Sequence, residues 1–225
     1  MIIDRVFIIN LKERKDRRDA IINELNRINI KNYEFFDGIK PSTEDMNEWN
    51  PNYIKIIPEW FKRLNKSEIK YRIGALGCLL SHYNIIKESK KRGYKNILIL
   101  EDDTIFKFND EFTKKINTFE KDIKIIESIY GILYLTGNHR RNSLKLITNN
   151  IFNTRYTLST SSYIISSKGM DYVIDNLKNY GKEIDVFYAE ELQQKIPCFC
   201  IIPHLTGQSS SYSDIAQIDV NYSFL

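Results

Sequence analysis

A run of five uncharged residues, 96–100 (NILIL), constrains the fold of this chain more than any other segment. A strand that is buried on both faces has a continuous apolar sequence, whereas a strand with one solvated face alternates apolar and polar residues. The run therefore predicts a central strand in a sheet that is covered on both sides. A mostly parallel sheet flanked by helices on both faces defines the α/β class.

Short apolar runs alternate with helical patterns along the rest of the chain, which favours the same class. Further strands are predicted at residues 6–9, 33–36, 132–135, 162–166 and 196–202. Apolar residues recur at helical spacing at residues 14–29, 74–91, 112–126 and 170–177. Residues 41–70, which contain both tryptophans, predict an irregular insertion with a short helix near residues 59–64. Residues 204–225 predict a polar tail, and no repeat or linker divides the single domain expected over residues 1–225.

Composition narrows the classes of function. A net charge of +4, without a basic cluster or aromatic stacking motifs, argues against a nucleic-acid partner. Asp4 and Arg5 interrupt the first apolar run, so it resembles neither a signal peptide nor an anchor. No stretch approaches the roughly 20 apolar residues that span a bilayer. Cys78, Cys198 and Cys200 have no zinc-type spacing, so we expect reduced thiols and a cytoplasmic setting.

Three consecutive carboxylates, Glu101, Asp102 and Asp103, directly follow the central strand. Ligands of open α/β sheets bind beyond the carboxyl ends of the strands. Adjacent acids repel each other, and a cation or a basic partner usually offsets that repulsion. Mg²⁺ and Mn²⁺ prefer carboxylate oxygens, and Mg²⁺ is often shared with substrate phosphates. The triplet predicts a metal site for a nucleotide diphosphate, and the alternative is a solvated strand end with helix-capping acids.

Two patterns in the first half carry weaker signals. The basic run at residues 10–18 opens the first predicted helix, where anions bind favourably, and the alternative is a solvated charged helix face. Gly74, Ala75, Gly77 and Cys78 permit close approach of a backbone or a ligand. The alternative is a helix packed tightly on the sheet, with His82 as a hydrogen-bonded core residue.

Candidate catalytic groups lie in the second half. Asp185, Glu190 and Glu191 are candidates for the carboxylate that takes a proton from an attacking hydroxyl, and surface acids are the alternative. His204 follows the last predicted strand, and a neutral imidazole there can complete a metal shell. A structural or exposed histidine is the alternative.

Taken together and in their order along the chain, several segments resemble those of glycosyltransferase family 25. That family includes bacterial lipooligosaccharide galactosyltransferases and the domains that galactosylate hydroxylysine in collagen. The resembling segments, which span roughly residues 5–214, are VFIINLKERKDRR, YEFFDG, IGALGCLLSH, LILEDD, SSYIISSKG and IIPHLTGQSSSYSD. The resemblance implies a GT-A-like fold, with one Rossmann-like sheet that binds donor and acceptor at its carboxyl edge.

The resemblance also implies roles for individual residues. LEDD looks like the family's version of the DxD metal motif, so the implied metal ligands are Glu101, Asp103 and His204. The residues implied to lie near the nucleotide or donor sugar are Asn10, Leu11, Arg14, Arg17, Asp37, Gly38, Glu101 and Asp102.

The predicted function is therefore inverting, metal-dependent transfer of galactose or glucose from a UDP-sugar to a hydroxyl group. The acceptor is hydroxylysine of a collagen-like protein or a glycan, and the cation is Mn²⁺ or Mg²⁺. Asp185 is the first choice for the general base, with Glu190 or Glu191 as substitutes. Lipooligosaccharide synthesis, a non-catalytic nucleotide-sugar-binding module and a virion structural protein are the alternatives. A bacterial or viral setting is favoured, and the oligomeric state is left open.

Overall fold

A computed structural model of the chain describes residues 3–140 and 144–221. Its strands, in chain order, are β1 Arg5–Asn10, β2 Tyr33–Asp37, β3 Asn96–Glu101, β4 Thr104–Phe106, β5 Ile132–Tyr134, β6 Asn138–His139, β7 Leu144–Leu146, β8 Ile151–Thr154, β9 Thr157–Leu158, β10 Ser162–Ser166, β11 Cys198–Ile201, β12 Thr206–Gln208, β13 Ser211–Ser213 and β14 Ile218–Val220. Its α-helices are α1 Lys15–Arg27, α2 Thr43–Trp49, α3 Glu59–Lys62, α4 Glu68–Lys91, α5 Phe112–Asn117, α6 Glu120–Ile126, α7 Ser167–Asn176, α8 Ile184–Phe187 and α9 Gln193–Lys195. A 3₁₀ turn follows α7 at Leu177–Asn179, and a π-helical turn joins α8 to α9 at Tyr188–Leu192.

Within residues 3–140 and 144–221, eight strands form the central sheet, in the order β2-β1-β3-β10-β5-β11-β8-β7. β1 pairs in parallel with both β2 and β3, and β5 pairs in parallel with β11. β10 and β8 run against the strands beside them. The predicted α/β fold, with a mostly parallel central sheet flanked by helices, is confirmed, because the strands of this sheet other than β10 and β8 run in one direction.

The central strand β3 is buried on both faces, as its sequence predicts. Leu98 and Leu100 face a core that is covered by α1, α5 and α6, whereas Ile97 and Ile99 face a core under α4, α7 and α8. All four side chains are fully buried. Each such side chain stabilises the fold by about 1.5–3 kcal/mol relative to an exposed position, so β3 anchors both layers.

Several predicted elements differ from the observed ones in their bounds. The helix predicted at residues 112–126 is two helices, because the chain turns at Thr118, whose hydroxyl donates to the Lys115 carbonyl (2.7 Å). The helix predicted from residue 74 begins earlier, at Glu68, where the Ser67 hydroxyl caps it by accepting from Lys70 N–H. The strand predicted at residues 196–202 is shorter, and β7 and β8 are additional strands of the sheet.

The region at residues 41–70 is more regular than its sequence suggests. It contains α2 as well as α3, and α2 begins with a capping box in which Ser42 and Asp45 bond to each other's backbone N–H. The region at residues 204–221 is not a plain tail, because β12 pairs with β4 and a hairpin of β13 and β14 follows. Among the helices of the described residues, none has both the length and the apolar character needed to cross a membrane.

The small-residue face of α4 receives the segment that follows β2. A Cβ atom built on Gly77 would lie 2.4 Å from the carbonyl oxygen of Ile39. The Ser81 hydroxyl, one turn later, accepts from Ile39 N–H (2.9 Å) and donates to the Gly77 carbonyl (2.7 Å). Backbone therefore occupies the close approach predicted at this face, and it forms one wall of the cavity described below.

Substituting Gly77 by alanine should destabilise the protein and open this wall. Alanine at an ordinary helical position gains about 1 kcal/mol over glycine. Here we expect a net loss of about 1–2 kcal/mol in the free energy of unfolding, because the clash is with a backbone atom. Gly169→Ala is the matched control, since its Cβ would lie 2.5 Å from the Gly131 carbonyl, away from this wall. Urea unfolding should show similar losses in the free energy of unfolding for both variants. Binding of a ligand in the cavity described below should weaken only in Gly77→Ala. Equally strong binding by the two variants would contradict the prediction.

Candidate functional site

A cavity of about 520 Å³ lies at the carboxyl edge of the sheet. Residues just beyond the ends of three neighbouring strands line it: Leu11 after β1, Gly38 after β2, and the acidic triplet at the end of β3. The small-residue face of α4 and the segment around Asp214 close the other sides. The position is where ligands of open α/β sheets bind.

Asp102 holds two distant segments against the end of β3. Its two carboxylate oxygens accept from the Asn10 side chain (2.8 Å) and from Arg17 (2.9 Å). Arg17 also donates to the Ser211 hydroxyl (2.7 Å) and to the Tyr212 carbonyl (2.8 Å) in the C-terminal hairpin. Burial raises the pKa of Asp102 above its usual range, although Asn10 and Arg17 oppose that rise. Because both oxygens are engaged, Asp102 suits bracing better than cation binding.

Asp103 is a buried carboxylate that faces the cavity. Its side chain is 7% exposed. In the described residues, its ion-pair partner is Arg17, at 3.6 Å, and Gln208 donates to it at 3.3 Å. Burial, together with the charge of Glu101, raises the pKa of Asp103 to about 7. Because these partners offset little of its negative charge, the Asp103 carboxylate would be stabilised by a divalent cation in the cavity.

Glu101 is held by a different pair of residues, Thr160 and His82. The Thr160 hydroxyl donates to it (2.8 Å), and His82 Nε2 lies 3.5 Å from the same oxygen. Burial acts to raise the pKa of Glu101, but His82 and Thr160 outweigh burial and the pKa is lowered. Glu101 is therefore an ionised group at the cavity wall, next to Asp103. Two carboxylates on one wall, one ionised and one poorly compensated, fit the ligand chemistry of Mg²⁺ or Mn²⁺.

Some of the other residues predicted near a nucleotide line the cavity, and others lie outside it. Leu11 and Gly38 line the cavity, and Gly38 N–H donates to the Asn10 carbonyl (2.9 Å). Arg14 lies nearby but pairs with Asp16 and Asp214, at 2.9 and 3.1 Å. Asp37 points to solvent and pairs with Lys12 (3.0 Å), outside the residues that line the cavity.

The three candidate bases differ in environment. Asp185, at the start of α8, accepts from Ser159 N–H (3.2 Å) and Val186 N–H (2.8 Å). Burial, together with the nearby charges of Glu183 and Glu101, raises the pKa of Asp185 to about 6, against the lowering effect of the two N–H groups. None of the three candidates is among the residues that line the cavity.

Glu190 is already paired. One of its oxygens accepts from both Lys182 and Tyr180, each at 2.6 Å. Burial acts to raise the pKa of Glu190, but these two partners lower it overall. Glu191 is half-buried in the π-helical turn that follows α8. Asp185 therefore has a pKa nearer to neutral pH than Glu190 has.

His204 lies with a second histidine rather than in the cavity wall. Its Nε2 is 2.9 Å from His139 Nε2, and its Nδ1 is 3.4 Å from the Thr136 hydroxyl. Burial and the neighbouring His204 lower the pKa of His139 to about 4. His204 is not among the residues that line the cavity, so the structure does not bring it together with Glu101 and Asp103 there.

Sequence reasoning gave no role to Thr160 or Gln208, which contact the acidic triplet. Thr160 belongs to a run of serine and threonine just before β10. Because β10 is antiparallel to β3, the residues before β10 lie at the same sheet edge as the residues after β3. Gln208 reaches Asp103 because β12 pairs with β4. Only the strand pairing reveals either contact.

The raised pKa of Asp103 predicts a pH dependence of stability. Between about pH 4 and pH 7 the folded state keeps a proton on Asp103 that the unfolded state has lost, so this group lowers the free energy of unfolding as pH rises. Carboxylates with lowered pKa values have the opposite effect, so the difference between wild type and Asp103→Asn isolates the Asp103 contribution. Urea unfolding of the metal-free proteins across this window should show the variant gaining stability over wild type as pH rises. A constant difference would contradict the assigned pKa.

Comparisons with known proteins agree with the ordered segments. The model of glycosyltransferase family 25 (LPS biosynthesis protein) matches residues 3–188. Procollagen galactosyltransferase 2 of Mus musculus and of Homo sapiens are each 31% identical over 190 residues. Each match covers 81% of this chain and 29% of the relative, so this chain spans about three tenths of their length.

Solved structures are more distant. The crystal structure of mannose-1-phosphate geranyltransferase from Thermus thermophilus gives a TM-score of 0.47 at 7% identity, over 96% of this chain and 77% of that one. The family match, in contrast, covers α1 through α8 and the whole acidic triplet. On that match, this chain belongs to glycosyltransferase family 25.

Proposed function

We propose that this chain transfers a hexose from a UDP-sugar to an acceptor hydroxyl, with inversion at the anomeric carbon and with the help of a divalent cation. The observation that carries the proposal is the pair of carboxylates, half-buried Glu101 and buried Asp103, on the wall of a cavity at the carboxyl edge of the sheet. Family membership supports glycosyl transfer, and the names of the procollagen galactosyltransferases support galactose as the donor sugar.

The cavity has the size and character expected for a nucleotide-sugar. Ligand pockets usually measure about 300–1,000 Å³, and this cavity of about 520 Å³ falls within that range. Leu11, Gly38 and Ile39 provide an apolar wall suited to the nucleoside, next to the small residues of α4 on which Ile39 packs. Arg17 and Lys70 also line the cavity and supply positive charge for the diphosphate.

Glu101 and Asp103 would hold the cation, as Mg²⁺ or Mn²⁺, together with donor phosphate oxygens. When bound, it would neutralise the negative charge that develops on the departing diphosphate. Asp102 instead binds both Asn10 and Arg17, and these bonds fix the position of the triplet relative to α1. The pairing of His204 with His139 leads us to leave His204 out of this ligand set.

Asp185 is the proposed general base. Its pKa of about 6 is close to neutral pH, which favours proton transfer at physiological pH. The two backbone N–H groups that it binds fix its carboxylate at the start of α8. Its carboxylate accepts the acceptor's proton while the hydroxyl oxygen bonds to the anomeric carbon. The bond from that carbon to the diphosphate oxygen breaks, and UDP leaves with the electron pair.

The acceptor that we favour is a hydroxylysine side chain of a collagen-like protein, because the relatives at 31% identity are procollagen galactosyltransferases. Glycan hydroxyls, as in lipooligosaccharide synthesis, fit the same chemistry and are the second acceptor class to assay. Both of these relatives are animal proteins, and the bacterial or viral setting stays a prediction.

A donor screen by calorimetry tests the proposal. UDP-galactose and UDP-glucose should bind the metal-free protein weakly and bind tightly once Mn²⁺ is added, whereas a GDP-sugar should give no comparable heat. Excess chelator should abolish the tight binding. Failure of every UDP-sugar to bind in Mn²⁺, or equal binding in excess chelator, would contradict the proposed donor or the proposed metal role respectively.

A further inference from the structure

Cys78, His82 and Glu101 converge on one side of the cavity. One ligand atom from each, namely the sulfur, a ring nitrogen and a carboxylate oxygen, lies within 4.8 Å of the other two. Cys78 and His82 are four residues apart on α4 and therefore share a helix face, and Glu101 ends β3 beneath them. We propose that these three residues form a binding site for a thiophilic divalent metal such as Zn²⁺, which shares only Glu101 with the proposed Mg²⁺ or Mn²⁺ site.

The ring nitrogen of His82 that faces the cluster is available to bind a metal. The side chain is fully buried, and Nε2 has no hydrogen-bond partner among the described residues. The other ring nitrogen, Nδ1, lies 2.8 Å from the hydroxyl of Tyr163. On metal binding, His82 would take the tautomer in which Nδ1–H donates to that hydroxyl, and Nε2 would turn a lone pair, rather than the proton that lowers the pKa of Glu101, towards Glu101 and Cys78. Histidines that bind metals are commonly held by such a hydrogen bond at the second nitrogen.

The spacing fits a tetrahedral ion. A nitrogen and an oxygen that each lie about 2.0–2.2 Å from one Zn²⁺ at the tetrahedral angle are separated by about 3.3–3.5 Å. His82 Nε2 and the near oxygen of Glu101 are 3.5 Å apart. A thiolate at about 2.3 Å from the ion would lie about 3.6 Å from either donor, so the Cys78 sulfur, which is within 4.8 Å of both, needs to move inward by at most about 1.2 Å.

Charge and ligand type favour zinc over manganese at this cluster. One thiolate and one carboxylate neutralise a divalent cation, which lowers the cost of burying it. Sulfur and imidazole donors select zinc-like metals, whereas Mg²⁺ and Mn²⁺ prefer the all-oxygen set of Glu101 and Asp103. All three residues line the cavity, so an ion can reach them. Thr160 steadies Glu101 from outside the cluster (2.8 Å).

Glu101 belongs to both ligand sets, so the two metals should exclude each other. Zn²⁺ at the cluster would withdraw one carboxylate from the donor site and inhibit hexosyl transfer. This consequence rests on the proposed function, whereas metal binding itself does not. We therefore separate the two in the experiment.

Metal binding is tested by titrating Co²⁺ and Zn²⁺ into the full, metal-free chain. Co²⁺ should produce a thiolate-to-cobalt charge-transfer absorption that is lost in Cys78→Ser and kept in Cys198→Ala, the matched buried-cysteine control. The Zn²⁺ dissociation constant should rise more than about 100-fold in Cys78→Ser and in His82→Gln, since loss of outer partners alone costs 10–100-fold. Asp103→Asn should retain Zn²⁺. Absence of the band from wild type, or its survival in Cys78→Ser, would overturn the site.

Competition is tested in the transfer assay, with each variant compared to its own zinc-free rate in Mn²⁺. Zn²⁺ should inhibit wild type, and at least tenfold more Zn²⁺ should be needed to inhibit Cys78→Ser. Tight Zn²⁺ binding without inhibition would overturn the competition and leave the site standing. If no protein transfers a sugar, the proposed function fails, and the Co²⁺ spectra still decide the site.

Discussion

Asp103→Asn is expected to reduce hexosyl transfer on the order of 10³-fold, comparable to removal of a principal electrostatic contact in other active sites. Asparagine keeps the shape of the side chain and removes the charge that would hold the cation. Since Asp103 is buried with Arg17 only at 3.6 Å, the neutral side chain should leave the fold intact. The measurement is UDP release and product formation in saturating Mn²⁺, with thermal unfolding followed by circular dichroism.

The control for this experiment is an acid of the same type outside the cavity. Asp171 is exposed on α7 and pairs with Lys90 (2.7 Å), so Asp171→Asn should keep the wild-type rate. Calorimetry should show that Asp103→Asn has lost Mn²⁺-dependent binding of the UDP-sugar. Full activity in Asp103→Asn, or wild-type activity that persists in excess chelator, would refute the metal role.

Asp185→Asn is expected to lower kcat by about 10²–10⁴-fold, the range for loss of a general acid or base. Donor binding should be unchanged, because Asp185 lies outside the residues that line the donor cavity. The wild-type rate should rise with pH through about 6, as Asp185 loses its proton, and that limb should be absent from the variant. Steady-state kinetics from acid to neutral pH measure both effects.

Glu190→Gln is the matched comparison for the base. Glu190 is held by Lys182 and Tyr180 near the protein surface, so its substitution should alter kcat little. The ion pair with Lys182 is about half-exposed on the lysine side and contributes little to stability. A larger loss in Glu190→Gln than in Asp185→Asn would reverse the assignment of the base.

The sequence by itself determined the elements whose signals are local. The uncharged run before Glu101 specified a strand buried on both faces, because a charged residue there would carry an uncompensated charge into one of the two cores. The abrupt change from leucine to three acids marked where that strand leaves the core. The glycines of α4 marked a close approach, since Gly77 has no room for a Cβ.

Pairing partners were decided only by the tertiary structure. β10 inserts antiparallel between β3 and β5, and this arrangement brings Thr160 to Glu101. The fold also turns Arg17 onto Asp102 and seats His204 against His139. The apolar pattern of a strand reports how deeply it is buried, but not which strand lies beside it. Contacts between residues tens of positions apart depend on the order of the strands. No local signal in the chain therefore encodes that Asp102 binds Asn10 and Arg17 while Asp103 has weaker partners at the cavity wall.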